Sequence, residues 1–380
     1  MRRIVLRILA VVGIALSAAG SAGAQQLRAT ADSWPVFRGD AGLTGVAASS
    51  LPVKLVLRWR FATGAAIKSS PVIGAGRVFV GSSDAKVYAL KLSTGEKIWE
   101  RDGGSPVEAP PLLDGAALYV GTLEGILLRL DAASGKVAWK LGIGGRIAGS
   151  ANILRRGTAA PIVLVGSYDG SLYAADAASG RQLWSYRTGG YINGAPAVVG
   201  NLAVFGGCDS LLHAVSIPDG GKVAEIDTGS FIPGSAAVAG GRAYVGNFED
   251  RFLCIDLATG SVLWTHQAGS GGGGLFSSPA VSARAVVIGG RDGRVQCLDP
   301  VDGSLRWAYD AGAAVDSSPV IAGDSVLFGT GDGRLVMLAL DTGKERWAYE
   351  LGQPVASSPA VAAGMIVVGC DDGSLTAFGR

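Results

Sequence analysis

The sequence contains few of the residues and motifs that usually carry chemistry. It has only two histidines, His213 and His266, and their spacing is not that of a metal-binding pair. It has no CxxC, HExxH or GxSxG motif, and the glycine-rich run at 269–274 lacks the Lys-Ser/Thr ending of a phosphate-binding loop. The sequence therefore offers no motif for metal-dependent, nucleophilic or nucleotide-dependent catalysis.

An excess of charge of either sign is also missing. The full chain has 33 lysines and arginines against 31 aspartates and glutamates. Without the three arginines of the first 24 residues, 30 basic side chains face 31 acidic ones, a net charge of −1. Nucleic-acid binding needs a basic footprint, so the composition argues against a nucleic-acid partner.

Long apolar runs are absent as well, because no segment reaches the roughly 20 residues of a membrane-spanning helix. The N-terminus is typical of a secretory signal peptide: three arginines precede the short apolar stretch 8–19, and Ala-Gly-Ala at 22–24 forms a small-residue cleavage signal. We expect cleavage near Ala24 and a soluble, monomeric protein that is periplasmic or secreted. The pair Arg2-Arg3 leaves both the general secretory and the twin-arginine route open.

Tryptophan is the residue that marks the organisation of the chain. Seven tryptophans recur about every 40 residues, and the one interval of 80 contains Ala224 where a tryptophan is due. A period near 40 in a glycine-rich, strand-rich chain predicts a β-propeller with one four-stranded blade per repeat. We expect a structural role, packing between blades, for all seven: Trp59, Trp99, Trp139, Trp184, Trp264, Trp307 and Trp347.

Each repeat reads as four short strands separated by turns. In residues 67–102 the turns are Gly74-Ala75-Gly76, Asp84-Ala85 and Ser93-Thr94-Gly95, and an Asp-Gly hairpin stands at the second turn in most other repeats. Eight repeats begin with a small-residue segment such as SSPVI, but the eighth lacks its tryptophan strand. Residues 54–62 supply an orphan tryptophan strand. The sequence therefore predicts an all-β, eight-bladed propeller of four-stranded antiparallel blades, closed by pairing of 54–62 with 374–378.

The chain then divides into a signal peptide at 1–24, an N-terminal extension at 25–53 and the propeller at 54–380. The extension has one distinctive segment, the sequence WPVFRG at 34–39. We expect the extension to lie across the outside of the propeller.

The four cysteines are expected to be free thiols. Cys254 and Cys297 occupy the same position in neighbouring repeats, so they point the same way around the ring and do not face each other at bonding distance. Cys208 and Cys370 fall in the fourth and eighth blades, on opposite sides of the ring. His213 holds the blade position of Tyr88 and Tyr173, which favours a structural histidine.

The segment that leads to the tryptophan, ALKLSTGEKIW at 89–99, resembles the A-x-D-x-x-T-G-x-x-x-W signature of PQQ-like (pyrroloquinoline quinone) propeller repeats. The aspartate of the signature is Lys91 here and is restored in other blades, for example at Asp131 and Asp176. The resemblance extends over 54–380. It implies one of two branches: quinoprotein dehydrogenases, which hold PQQ and calcium in the central funnel, or non-catalytic envelope propellers similar to BamB of outer-membrane protein assembly.

The length of the chain resembles the second branch. Quinoprotein dehydrogenases are longer and typically carry a vicinal Cys-Cys pair, which this sequence lacks. The chain also departs from BamB, because no cysteine for lipid attachment stands near the cleavage site. The resemblance thus favours a non-enzymatic, exported scaffold that binds envelope proteins and needs no cofactor. A PQQ-binding quinoprotein with calcium is the alternative.

Two sets of residues are candidate sites. The first begins each innermost strand and is expected to line one mouth of the channel. Its polar or bulky members are Lys68, Glu108, Asn193, Phe276 and Asp316. Three of these carry oxygen ligands of the kind that calcium takes, although a solvated channel rim is the simpler interpretation.

The second set is a stripe of arginines on the same face. Arg251, Arg294 and Arg334 begin the third strand in three consecutive blades, with Arg291 in an adjoining turn. Arginine is enriched at protein interfaces and pairs with carboxylates in a two-pronged geometry. We therefore treat the stripe as the candidate partner-binding site.

Overall fold

The computed structural model describes residues 26–157, 159–269 and 273–380. The predicted signal peptide and the centre of the glycine-rich run lie outside the described residues. Within them the chain forms eight sheets: seven antiparallel sheets of four strands, and one sheet in which a short parallel strand joins four antiparallel strands. The innermost strands of successive blades contact each other around a ring. The predicted fold, an all-β, eight-bladed propeller, is confirmed.

The strands follow one another from the innermost to the outermost position in each blade. Two strands precede the first complete blade: β1 (Val46–Ala47) and β2 (Val56–Ala62). Blade one contains β3 (Val72–Gly74), β4 (Arg77–Gly81), β5 (Lys86–Lys91) and β6 (Lys97–Asp102). Blade two contains β7 (Leu112–Asp114), β8 (Ala117–Gly121), β9 (Ile126–Asp131) and β10 (Val137–Gly142). Blade three contains β11 (Asn152–Arg156), β12 (Ala159–Gly166), β13 (Ser171–Asp176) and β14 (Gln182–Arg187).

The remaining blades repeat this order. Blade four contains β15 (Ala197–Val199), β16 (Leu202–Gly206), β17 (Leu211–Ser216) and β18 (Lys222–Asp227), and blade five β19 (Ala237–Ala239), β20 (Arg242–Gly246), β21 (Arg251–Asp256) and β22 (Val262–Gln267). Blade six contains β23 (Ala280–Val281), β24 (Val286–Gly289), β25 (Arg294–Leu298) and β26 (Leu305–Asp310). Blade seven contains β27 (Val320–Ala322), β28 (Ser325–Gly329), β29 (Arg334–Ala339) and β30 (Glu345–Glu350), and blade eight β31 (Ala360–Ala362), β32 (Met365–Gly369) and β33 (Ser374–Gly379).

Blade eight is completed by the N-terminal strand. β2 pairs antiparallel with β33, from Val56 opposite Gly379 to Ala62 opposite Ser374. The predicted closure is therefore confirmed. Because both partners are otherwise edge strands, this pairing removes two open edges and closes the ring.

The burial pattern follows from the stacking of blades. The second and third strands of a blade, such as β4 and β5, are buried on both faces because neighbouring blades cover them. The outermost strands, such as β6, alternate between exposed and half-buried residues. Hydrophobic residues therefore fill the interfaces between blades.

The tryptophan signature is an interlock between neighbouring blades. Trp139 donates its indole N–H to the carbonyl of Ala177 in the next blade at 3.2 Å. Its ring lies beneath Gly180 of that blade's turn, where a Cβ atom would stand 2.6 Å from the ring, and Gly180 has φ +74°. Glycine is required there both by the conformation and by the close approach. The motif thus joins the tryptophan of one blade to the Thr/Ser-Gly turn of the next.

The small-residue segments bind the innermost strands together. From blade four to blade one, the backbone N–H at one position donates to a serine hydroxyl of the next blade, as from Ser318 to Ser358 at 3.0 Å and from Ser358 to Ser70 at 2.9 Å. The recurrent SSP sequence therefore has a structural explanation. All four cysteines are free, as predicted.

The expectation for the N-terminal extension is wrong. The extension does not lie across the outside of the propeller. It runs along the innermost strands, and its strand β1 pairs in parallel with β27. The carbonyls of Pro35, Ala41, Gly42 and Thr44 accept N–H groups from the innermost strands of blades two, four, five and six at 2.7 Å. The physical reason is that each innermost strand is the edge of its sheet and presents unpaired N–H groups to the channel, and the extension supplies their acceptors.

Arg38 fixes the extension to the beginnings of blades six and seven. Its side chain is 1% exposed, and it donates hydrogen bonds to the carbonyls of Ser318, Pro279 and Pro319. Burial lowers the pKa of this guanidinium to about 9, and Asp40 opposes the shift. The extension is therefore an integral part of the folded propeller.

Candidate functional site

One end of the channel is an open cup. We define the mouth face as the face that carries the beginnings of the innermost strands and the hairpins between second and third strands. The cup has a volume of about 170 Å³, and Phe37 of the extension lines it from inside the channel. The rest of the extension runs along the innermost strands, whose backbone N–H groups donate to its carbonyls.

The structure places four of the five predicted rim residues in the wall of the cup: Lys68, Asn193, Phe276 and Asp316. Glu108 does not line it. Its Oε1 instead accepts a hydrogen bond from Ser83 and lies 3.7 Å from Nζ of Lys68. The rest of the wall consists mainly of glycine, alanine, proline and serine.

The oxygen atoms considered for calcium are engaged elsewhere. Oδ1 of Asn193 accepts a hydrogen bond from the Tyr168 hydroxyl, and Nδ2 of Asn193 donates to Pro233 at 2.8 Å. Asp316 forms a two-pronged pair with Arg291, at 2.8 and 2.9 Å. Among the described residues no group of three or more His, Cys, Asp and Glu side chains is arranged for a metal ion. The rim does not fit a calcium site.

The cup also does not fit a bound quinone. Small-ligand pockets usually enclose about 300–1,000 Å³, whereas this cup offers about 170 Å³. PQQ carries several carboxylates, yet Lys68 is the only cation among the described residues that line the cup.

An arc of aromatic residues borders the cup and was missed by the sequence analysis. We define the aromatic arc as Tyr168, Tyr191, Phe231, Phe248 and Phe276, which run across the mouth face from blade three to blade six. Tyr168 stacks on Tyr191 with ring centroids 5.5 Å apart, and Phe248 meets Phe276 edge to face at 6.0 Å. The N–H of Phe248 also donates to the carbonyl of Phe231 at 2.8 Å.

Three residues of the arc are exposed to solvent: Tyr191 is 59% exposed, Phe231 50% and Phe248 45%. Tyr191 and Phe231 occupy equivalent positions in successive links between blades, just before the buried Ile192 and Ile232. Other blades have Ala66, Pro106 or Arg146 there. Aligning the links between blades, in addition to the strands, would have revealed this signal.

Both ends of the arc carry an arginine against a ring. The guanidinium of Arg146 lies 5.6 Å from the Tyr168 centroid, and that of Arg291 lies 3.4 Å from the Phe276 centroid. Arg291, predicted as part of the stripe, is thus placed between the arc and Asp316. Cys208 lies in the middle of the arc, since its N–H donates to the carbonyl of Tyr191, and burial raises the pKa of its thiol.

The remaining stripe arginines are paired within the blades. Arg251 lies 3.1 Å from Glu249, and Arg294 lies 4.0 Å from Asp292. Arg334 contacts Glu345 at 3.1 Å and Glu350 at 3.5 Å. The three residues do begin the third strands on the mouth face, but nearby carboxylates offset their charge.

The opposite side of the rim is acidic. Oδ1 of Asp371 is buried without a hydrogen-bond partner among the described residues. Burial raises the pKa of this carboxyl, Glu108 raises it further, and Lys68 opposes the shift. The mouth face is therefore divided into an aromatic side, at blades three to six, and a charged side around Asp371, Lys68 and Glu108.

A wider groove of about 580 Å³ lies beside the closing blade, away from the channel. It is lined by residues 50–52 of the extension and by the C-terminal strand, with Arg58 and Arg380 as its charged members. None of the predicted site residues lines it.

The fold and the mouth face define a class, an eight-bladed propeller with a narrow cup and an exposed aromatic rim. Comparison with known families narrows this class. The profile of the family described as outer membrane protein assembly factor BamB matches residues 56–159, 145–230, 208–354 and 337–379. The chain belongs to this family of PQQ-like propellers. A search of curated proteins gave no match.

Solved structures confirm the fold. BamB from Moraxella catarrhalis is 19% identical with a TM-score of 0.72, and the match covers 86% of this chain and 98% of that one. The quinohemoprotein alcohol dehydrogenase from Comamonas testosteroni is 17% identical with a TM-score of 0.74, over 93% of this chain and 81% of that one. The computationally designed Ika8 protein is 18% identical with a TM-score of 0.73, over 89% and 99%. In the described part of the chain, no helix has the length and apolar character needed to cross a membrane.

Proposed function

We propose that this protein is a non-enzymatic scaffold of the cell envelope that binds a protein partner on its mouth face. The aromatic arc is the observation that carries this proposal. Aromatic residues and arginine are enriched at protein interfaces, and contiguous exposed apolar groups mark interaction sites. An arc of five aromatic side chains with an arginine at each end has this composition.

Membership of the BamB family supports a more specific form of the proposal, a role in outer-membrane protein assembly. The predicted signal peptide supports an envelope location, in the periplasm or outside the cell. Within this surface, the arc forms the apolar core. Arg251, Arg294 and Arg334 form part of its polar rim, where individual residues contribute little binding energy.

The quinoprotein alternative is less well supported. The narrow cup and the engaged oxygen ligands give neither PQQ nor calcium a fitting site. We expect that adding PQQ and calcium to the purified protein leaves its absorption spectrum equal to the sum of the components.

The test is a capture experiment from envelope extract with the triple variant Tyr191→Ser, Phe231→Ser, Phe248→Ser. A matched control replaces three exposed apolar residues of the outer edge: Val262→Ser, Val301→Ser and Leu305→Ser. We expect the arc variant to lose the captured protein and the control to keep it, at equal circular dichroism. Equal recovery by both variants, or loss only with the control, contradicts the proposal.

A further inference from the structure

The two ends of the aromatic arc differ in charge. At the blade-six end, Asp316 holds Arg291 in a two-pronged pair. At the blade-three end, Arg146 and Arg187 are exposed, and among the described residues neither guanidinium has an ion-pair or hydrogen-bond partner. The three stripe arginines all have carboxylates within 4.0 Å. The blade-three end is thus where the mouth face carries uncompensated positive charge.

The position of Arg146 combines this charge with the aromatic surface. Its guanidinium rests against Tyr168, and Tyr168 stacks on the exposed Tyr191. A guanidinium that lies against a ring keeps its N–H groups free at the edge, where it can bind a carboxylate through two parallel hydrogen bonds. Arg187, at the end of β14, adds a second positive charge to the top of the same blade.

We propose that the aromatic arc binds an extended segment of a partner protein in which a carboxylate stands beside aromatic or aliphatic side chains. The apolar side chains cover Tyr191, Phe231 and Phe248, and the carboxylate pairs with Arg146, with Arg187 adding attraction at longer range. This inference rests on the proposed function, because it names the partner chemistry of the same surface. An extended segment suits an arc that crosses four blades in a row of single side chains.

Charge complementarity decides the sign of the partner. The Arg146 and Arg187 charges face solvent at the blade-three end, so a basic segment would meet repulsion there. Carboxylates along the arc already have partners, since Glu249 lies 3.1 Å from Arg251 and Asp209 lies 3.0 Å from His213. An acidic segment meets both arginines without displacing any existing pair. The ionic contribution should weaken with salt, because the Debye length falls from about 10 Å at 0.1 M to about 3 Å at 1 M.

The test uses three labelled peptides with the full mature protein. The probe is Gly-Asp-Phe-Pro-Asp-Phe-Gly; a second peptide has Lys in place of both Asp, and a third has Ala in place of both Phe. Fluorescence anisotropy measures affinity at low and high salt. We expect the probe to bind at least about tenfold more tightly than either relative, a difference that corresponds to 1.4 kcal/mol.

Two single variants separate the arginine from general effects of charge. Arg146→Ala should weaken probe binding about threefold or more and flatten its salt dependence. Arg181→Ala removes an exposed arginine of the same blade at the opposite end of the strands, and it should leave both unchanged. The inference is overturned if the Lys peptide binds as tightly as the probe, or if Arg146→Ala binds the probe as tightly as wild type does. It is also overturned if the probe does not bind at about 1 mM.

The two proposals fail in different ways. If the arc variant keeps its captured envelope protein, the proposed function fails. If the arc variant loses the captured protein while Arg146→Ala leaves both the capture and the probe affinity unchanged, docking on the arc stands and the acidic partner chemistry is wrong.

Discussion

At the scale of single residues, the tryptophan interlock explains why the repeat signature is so regular. Trp59, Trp99 and Trp184 each donate to a carbonyl 33 residues later, in the next blade, as Trp139 does at a separation of 38. Each ring therefore needs a nearby turn with glycine. This contact depends only on neighbouring repeats, so it could be predicted from the sequence period alone.

Replacing Trp139 should destabilise the propeller. Trp139→Ala empties a half-buried aromatic site between blades two and three, and we expect a loss of about 3 kcal/mol, the lower end of the usual range. Trp139→Phe keeps most of the ring and loses the indole hydrogen bond, so it should cost only about 1 kcal/mol. Denaturant unfolding of both variants measures the difference. A neutral Trp139→Ala would contradict the packing role.

Asp371 gives a prediction for pH dependence. Its raised pKa means that the folded state takes up a proton more readily than the unfolded state. The penalty for burying the carboxylate is therefore fully present at neutral pH, and it is relieved as pH falls through the raised pKa. Asp371→Asn removes the charge, so the variant should be more stable than wild type at pH 7.

The gain from Asp371→Asn should shrink as pH falls and vanish below the ordinary pKa of aspartate, about 4. Thermal unfolding at a series of pH values provides the measurement. Asp332→Asn is a matched control, because Asp332 stands two residues after Thr330 in the hairpin of blade seven and accepts its hydroxyl. A constant difference between Asp371→Asn and wild type across this pH range contradicts the account.

At the scale of elements, the N-terminal extension marks the limit of sequence reasoning. Strand β2 was predicted because it carries the tryptophan strand of a repeat whose other strands are missing at that end of the chain. The residues before it belong to no repeat. Their position depends on free N–H groups along the channel edge of the innermost strands, which no periodicity reveals. Trp34, Val36 and Leu43 are fully buried in this position.

Removing the extension should therefore weaken the whole ring. A mature chain that begins at residue 48 loses six buried apolar side chains. Trp34, Val36 and Leu43 alone are worth about 2 kcal/mol each, so we expect a loss of about 5 kcal/mol or more. Chemical denaturation against the full mature chain is the measurement. Unchanged stability would show that the extension only covers a ring that is stable without it.

Only part of the candidate site could be predicted, because the rest of it lies outside the repeated strands. The channel rim follows from the alignment of innermost strands, so Lys68, Asn193 and Asp316 could be named in advance. The aromatic arc lies in the links and hairpins, and its members come from four blades. Only the ring geometry brings Phe248 of a hairpin against Phe276 of the following link.

At the scale of the whole molecule, the mouth face and the extension differ in structure. The extension ties the innermost strands together through hydrogen bonds from six of the eight blades, which favours a role in stability. The mouth face carries a cup of about 170 Å³ and a row of exposed aromatic rings. It also carries two arginines whose guanidinium groups have no ion-pair or hydrogen-bond partner among the described residues. A closed propeller supplies a rigid platform for such a surface, because its rim residues sit on links and hairpins fixed by neighbouring blades.

The central claim is that the mouth face binds a protein partner. The most direct measurement is site-specific photo-crosslinking in intact cells, with p-benzoylphenylalanine introduced at position 231 or 248 of the arc, or at position 301 or 305 of the outer edge. The account predicts a discrete crosslinked protein from positions 231 and 248 and none from 301 and 305. Crosslinks formed only from 301 and 305, or no crosslink from the arc at normal expression, would contradict it.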